Sequence, residues 1–111
     1  MIKANWEGVK YLINLIGFVY ILPEFDSETQ SKLTDLVLKA LKTLTPKEED
    51  VLLKRCGIYE TKQTLEEVGR KYMRSKERIR QVQAQALRKL RHPARSTEIK
   101  TIVKEYHNEV K

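Results

Sequence analysis

The sequence holds a single cysteine, Cys56, and two histidines fifteen residues apart, His92 and His107. An internal disulfide is excluded, and no Cys/His pattern has zinc spacing, so no metal and no cofactor is expected. Cys56 sits among Val51, Leu52, Leu53 and Ile58, which marks a small buried apolar residue rather than a nucleophile and fits a reducing cytosol. A membrane-spanning run is also lacking: from Tyr11 to Leu22 only Asn14 and Gly17 interrupt an apolar stretch of twelve, short of the roughly 20 residues a bilayer requires. Pro23-Glu24-Phe25-Asp26 follows it where a signal peptide would carry small residues. At 111 residues the chain supports one small domain or a domain with an appendage, without a large catalytic cleft. No acid/base or nucleophile constellation stands out, so no enzyme is expected.

Acidic residues are scarce in one place only. Residues 61–95 hold eleven Lys/Arg against three acids, whereas the whole chain carries a formal charge of +7, so the basic excess is confined to this third of the sequence. A confined positive patch suits phosphate neutralisation, with affinity that falls as salt rises. A solvated helix surface is the plainer explanation of any basic run, and the local pattern must decide between them.

That pattern is one of helix starts. Thr64 and Ser75 are residue types that cap helices, and Glu67 completes a possible capping box with Thr64. Only about three residues remain between the two helices for a reversal, which predicts a helix-turn-helix. At about 100° per residue the second helix buries Ile79, Val82, Ala86, Leu87 and Leu90 and turns Glu77, Arg80, Gln81, Ala84 and Arg88 outward. This outward face combines groups able to read base edges, since Arg can bond guanine, Gln adenine, and Glu can accept from cytosine.

The rest of the chain frames this unit. Trp6, Val9, Ile13, Ile16 and Tyr20 fall at helical spacing, while Ile13, Ile16, Val19 and Ile21 also have strand propensity, so periodicity leaves both open. A helix is the expectation carried forward. Its apolar surface needs cover from the rest of the domain, a second copy or a partner protein. Pro23 ends it. Ser27 with Gln30 predicts the next helix start, and Leu33, Leu36, Val37, Ala40, Leu41 and Leu44 trace its core face. Thr45-Pro46-Lys47-Glu48 opens a further helix that Gly57 ends. Pro93 closes the basic helix, His92 is expected to cap or touch phosphate, and Ser96 is expected to begin a last helix bearing Ile99, Ile102, Val103 and Tyr106.

Taken together, Leu44-Thr45-Pro46-Lys47-Glu48-Glu49, Arg55-Cys56-Gly57-Ile58, Thr64-Leu65-Glu66-Glu67-Val68-Gly69, Glu77-Arg78-Ile79-Arg80-Gln81-Val82 and Ala86-Leu87-Arg88-Lys89-Leu90-Arg91-His92-Pro93 resemble the C-terminal region four of primary bacterial sigma factors. The resemblance covers roughly residues 27–97 and implies an all-α domain with a helix-turn-helix. It divides the chain into an apolar N-terminal segment (1–25), the region-four-like domain (26–97) and a C-terminal helix or tail (98–111). It also implies two partners, double-stranded promoter DNA at the −35 element and the flap of the RNA polymerase β subunit, with the flap in the apolar groove between the helices before the motif and the long motif helix. Lys76, Glu77, Arg80 and Gln81 match the base-reading positions, Lys76 lying nearer the edge of the face. Lys54, Arg78 and Arg88 are the phosphate candidates. A bacterial cytoplasmic, nucleoid-associated protein is implied, with self-association or a protein partner possible through residues 1–22 and no membrane.

The departures are informative too. Lys76 replaces an arginine and loses its bidentate fork. Met73 stands where Asp, Asn or Gly is usual and Arg74 where a valine anchors the turn, which points to a distorted turn or weaker DNA affinity. Cys56 replaces a common phenylalanine and leaves space near the flap groove unless something fills it. Gln83 and Gln85 replace an acid and a base. The length leaves no room for the upstream sigma regions, so the chain is expected to complement or compete with a protein that carries them. The alternative is a protein-interaction module, a flap decoy or anti-sigma-like regulator that does not read DNA.

Overall fold

The computed structural model describes residues 3–17 and 24–109, with six helices among them: α1 (Trp6–Ile16), α2 (Ser27–Leu41), α3 (Pro46–Cys56), α4 (Leu65–Tyr72), α5 (Lys76–Arg91) and α6 (Pro93–Glu109). The expectations that Tyr20 continues the first helical face and that Pro23 ends it lie outside the described residues.

Local chemistry explains the boundaries. Thr45 and Thr64 each form a full capping box: the hydroxyl accepts from the N–H of Glu48 or Glu67, and that carboxylate accepts from the threonine N–H. Two starts differ from expectation by a few residues. Asp26, not Ser27, caps α2 by accepting from Thr29 N–H at 2.8 Å, because a carboxylate at the helix N-terminus also meets the macrodipole. Gln30 instead donates back to the Phe25 carbonyl. The last helix begins at Pro93 rather than Ser96. Proline suits a first helical turn, His92 Nδ1 accepts from Ala94 N–H, and the Ser96 hydroxyl donates to the carbonyls of Arg91 and His92.

The helices close around two apolar clusters. The larger joins Val9, Leu12, Ile13 and Ile16 of α1 to Leu33, Val37 and Leu41 of α2, Leu52 and Cys56 of α3, Ala86, Leu87 and Leu90 of α5, and Ile99 and Val103 of α6. So α1 is covered by its own chain, resting on α2, α3 and α5. Its seat is close. The Asn5 N–H donates to the Ile58 carbonyl at 2.6 Å, Arg91 donates to the carbonyls of Leu15 and Ile16, and a Cβ on Gly8 would stand 2.7 Å from the Gly57 carbonyl oxygen. Trp6 meets Phe25 edge-on, Phe25 meets Tyr106 of α6, and the Tyr106 hydroxyl donates to the Glu24 carbonyl.

The smaller cluster lies under the helix-turn-helix: Val51 of α3, Val68 of α4, and Ile79 and Val82 of α5, with Leu65 and Tyr72 at its edge. Polar ties flank it. Asp50 of α3 accepts from Tyr72 and Lys71 of α4. Burial pushes the Tyr72 phenol up to about 12, and the neighbouring carboxylate pushes the same way. Burial works against the Asp50 charge, but those two donors and Lys54 hold its carboxyl below the usual range. Arg55 reaches from α3 to the Gln63 carbonyl at 2.7 Å and to Gln83 of α5 at 3.0 Å. Three helices are thereby locked in one orientation, and α5 is aimed by its neighbours.

Candidate nucleic-acid interface

The turn between α4 and α5 is well formed despite its unusual residues. Met73 takes the left-handed conformation (φ 54°, ψ 45°), its N–H meets the Arg70 carbonyl, and the Arg74 N–H meets the Gly69 carbonyl at 2.9 Å. These two bonds make a Schellman closure of α4. Ser75 then caps α5 by accepting from Arg78 N–H. The expected distortion is thus confined to one strained residue. Met73 is 87% exposed, so its side chain contributes little packing in return. Met73→Gly is expected to raise stability by about 0.5–1 kcal/mol, because glycine adopts this conformation without strain although it costs more chain entropy. Urea denaturation checks it; a loss of stability would mean the turn gains something from the methionine side chain.

Along α5 the phasing read from the sequence is reproduced. Ile79, Val82, Ala86, Leu87 and Leu90 are buried, and Lys76, Glu77, Arg78, Arg80, Gln81, Ala84 and Arg88 are exposed. Two pairs of the exposed side chains meet. Arg80 grips Glu77 through two nitrogens at 2.6 and 2.9 Å, and Arg78 reaches Gln81 at 3.4 Å. The Arg80 hydrogen bonds hold the Glu77 carboxyl below its ordinary range. Both members are well exposed, so solvent screens the pair and releasing Arg80 toward a base costs little. The clamp therefore orients the reading pair without locking it.

Lys76 stands at the head of α5 and shares a shallow cleft with Arg55, Thr64, Leu65 and Glu66. Arg88 lies three turns further along, exposed. Lys54 differs. Its side chain is 12% exposed and ion-paired to Asp50 at 3.5 Å and Glu60 at 3.3 Å, so as a phosphate contact it starts neutralised. Several other cations are engaged inside the fold: Lys71 with Asp50, Lys89 with Glu48, and Arg91 with α1. Arg70, Arg74, Lys76, Arg78 and Arg88 make no ion pair among the described residues, and four of the five cluster around the turn and the head of α5.

Sequence reasoning passed over Arg70 and Arg74 as phosphate candidates. Arg74 stood out only as a turn departure, yet its exposure beside Ser75 puts charge where the helix begins. Arg55 was also missed as the strut between α3 and α5; Gln83, phased between the two faces of α5, was the available signal. Cys56 is buried, and burial pushes its thiol up to about 12, so it is chemically quiet. Among the described residues no metal-binding group occurs, and none of their helices is long and apolar enough to cross a membrane.

Comparison with known proteins places this geometry. Residues 40–92 match the family described as Sigma-70, region 4. The chain is similar to the RNA polymerase sigma factor SigA of Clostridium acetobutylicum, 50% identical over 76 residues, 68% of this chain and 20% of that protein. It is also similar to the RNA polymerase sigma factor RpoD of Neisseria gonorrhoeae, 46% identical over 79 residues (70% of this chain, 12% of that protein). The RNA polymerase sigma factor SigA of a Bacillus species is 44% identical over 95 residues, 85% of this chain and 25% of that protein. The chain thus spans a quarter or less of the length of these relatives.

Proposed function

We propose, from the premise that residues 40–92 form a sigma-70 region 4 domain of bacterial transcription, that this chain sets α5 into the major groove of a −35-type promoter element and docks on the β flap of RNA polymerase. The observation that carries the DNA half is the two-sided character of α5: one face buried in the two cores, the other presenting Glu77, Arg80 and Gln81 between unpaired cations. Glu77, Arg80 and Gln81 read base edges, with Lys76 at the rim of the face; Arg78 and Arg88 hold phosphates and set the register. Lys54 joins them only on leaving Asp50 or Glu60. The flap half rests on the apolar seat formed by α2, α3 and α5, in which α1 lies in this structure. A region 4 domain has no reaction of its own, and the place of action is the bacterial cytoplasm at the nucleoid.

Arg80→Ala is expected to weaken binding to the preferred −35 duplex by about 1–3 kcal/mol and to relax discrimination at one base pair. Arg88→Ala is the contrast: a uniform loss on all sequences, with the salt slope reduced by about one. Titrations against a panel of single-base variants at several salt concentrations check both. Equal loss on every sequence after Arg80→Ala would remove the base contact from this reading.

The Glu77–Arg80 clamp favours one second reading, a flap-binding module that does not read DNA, because the strongest base-reading side chain is already paired. Separate titrations with −35 DNA and with an isolated flap distinguish the two.

A further inference from the structure

We infer that α1 is a built-in competitor for the polymerase flap: it lies in the groove of α2, α3 and α5, and the flap docks only when α1 leaves. This inference rests on the flap reading above. Val9, Leu12, Ile13 and Ile16 are spaced i, i+3, i+4 and i+7, the anchor pattern of an amphipathic helix in a groove. Each is at most 3% exposed, and they share one apolar cluster with side chains of α2, α3 and α5. The opposite side of α1 carries Glu7, Lys10 and Asn14. With α1 packed against α2, α3 and α5, an incoming flap segment meets a filled site.

The seat is tailored to α1. Gly8 passes so near the end of α3 that a Cβ would meet the carbonyl oxygens of Gly57 and Cys56 at 2.7 and 2.8 Å. Cys56 lines the same cleft as Gly8 and Tyr11. It stands where the resembling sigma regions commonly carry phenylalanine, and the smaller side chain leaves the room that α1 uses. Arg91 of α5 then closes the C-terminal end of α1 by donating to two of its carbonyls, a favourable position for a cation. The apolar side of α1 is therefore turned inward against its own chain.

The chain reports on itself, because its single tryptophan, Trp6, begins α1 and rests edge-on against Phe25 at 5.9 Å. Asn5→Pro is the loosening variant. The Asn5 φ of −79° suits proline, but the substitution removes the N–H that meets Ile58 and leaves the groove walls intact. A tryptophan-free synthetic peptide of the β flap is titrated into the full chain and into the variant. Because apparent affinity scales with the open fraction, a variant whose groove is open about ten times as often binds about tenfold tighter. In the wild-type chain, binding red-shifts Trp6 emission. Equal affinity for both proteins, with Trp6 emission unchanged on binding, overturns the inference and leaves flap docking standing at another surface. Binding to neither, with circular dichroism showing a folded variant and Trp6 already exposed, overturns the flap reading and this inference with it. If Asn5→Pro does not fold, Gly8→Ala, which pushes α1 off the end of α3, takes its place with the same outcomes.

Discussion

Gly69→Ala is expected to destabilise the protein by about 1–3 kcal/mol and to weaken −35 DNA binding further than the lost stability explains. Helix propensity alone predicts the opposite sign, since alanine in a helix interior gains roughly 0.5–1 kcal/mol over glycine. The turn decides against it. A Cβ at position 69 would stand 2.6 Å from the Arg74 carbonyl oxygen, a backbone atom that no rotamer change can move. Relief requires opening the turn, whose Arg74 N–H bonds to Gly69 itself and whose Met73 is already held left-handed. Opening it shifts the head of α5, and with it Lys76, Glu77 and Arg80. Urea denaturation and DNA titration at concentrations where the variant is folded separate the two effects. A variant more stable than wild type, with unchanged DNA affinity, would show that the close approach of α4 to the turn is not needed to aim α5.

The same contrast between local and distant contacts explains which features can be read from the chain. The caps at Thr45, Thr64 and Ser75 depend on partners three residues away, so composition and spacing suffice. The two faces of α5 follow from one rotation angle applied to one run of residues. Helix starts blurred where two cap-competent residues adjoin, as at Asp26-Ser27, or where proline can either stop a helix or open the next, as at Pro93. Phe25 and Ile58 are buried although they lie outside every helix, because neighbouring elements cover them.

The seat of α1 needs contacts between residues such as Arg91 and Leu15, separated by 76 positions. Periodicity could say that the segment needs cover, not what covers it. At the candidate interface the outward residues were legible, but their charge state was not. Lys54 is neutralised by Asp50 and Glu60, and Glu77 with Arg80 forms a mutual clamp, both set by rotamers that spacing does not specify.

Lys89→Ala is expected to cost about 2 kcal/mol at neutral pH, because it strips a buried carboxylate of its cation. Glu48 is 6% exposed, and Lys89 Nζ reaches it from α5 at 2.9 Å while the same carboxylate closes the capping box with Thr45. Burial pushes the Glu48 carboxyl up, and the Lys89 and Thr45 hydrogen bonds more than reverse this, leaving it below the ordinary glutamate value of 4.5. A carboxyl depressed in the folded state contributes stability above its unfolded value, and that stability is lost as pH falls through the folded value. Without the lysine, burial is opposed only by the capping bonds and the carboxyl moves upward. The difference between wild type and variant is therefore largest near pH 7 and shrinks as pH falls below 4.5. Asp50, held down by Tyr72, Lys71 and Lys54 against its burial, supplies the same acid-side loss in both proteins and does not alter the comparison. Urea denaturation at pH 7 and near pH 3.5 measures this directly. A pH-independent difference would mean that Lys89 acts through the packing of its aliphatic stem, and α3 would then be held on α5 by apolar contact alone.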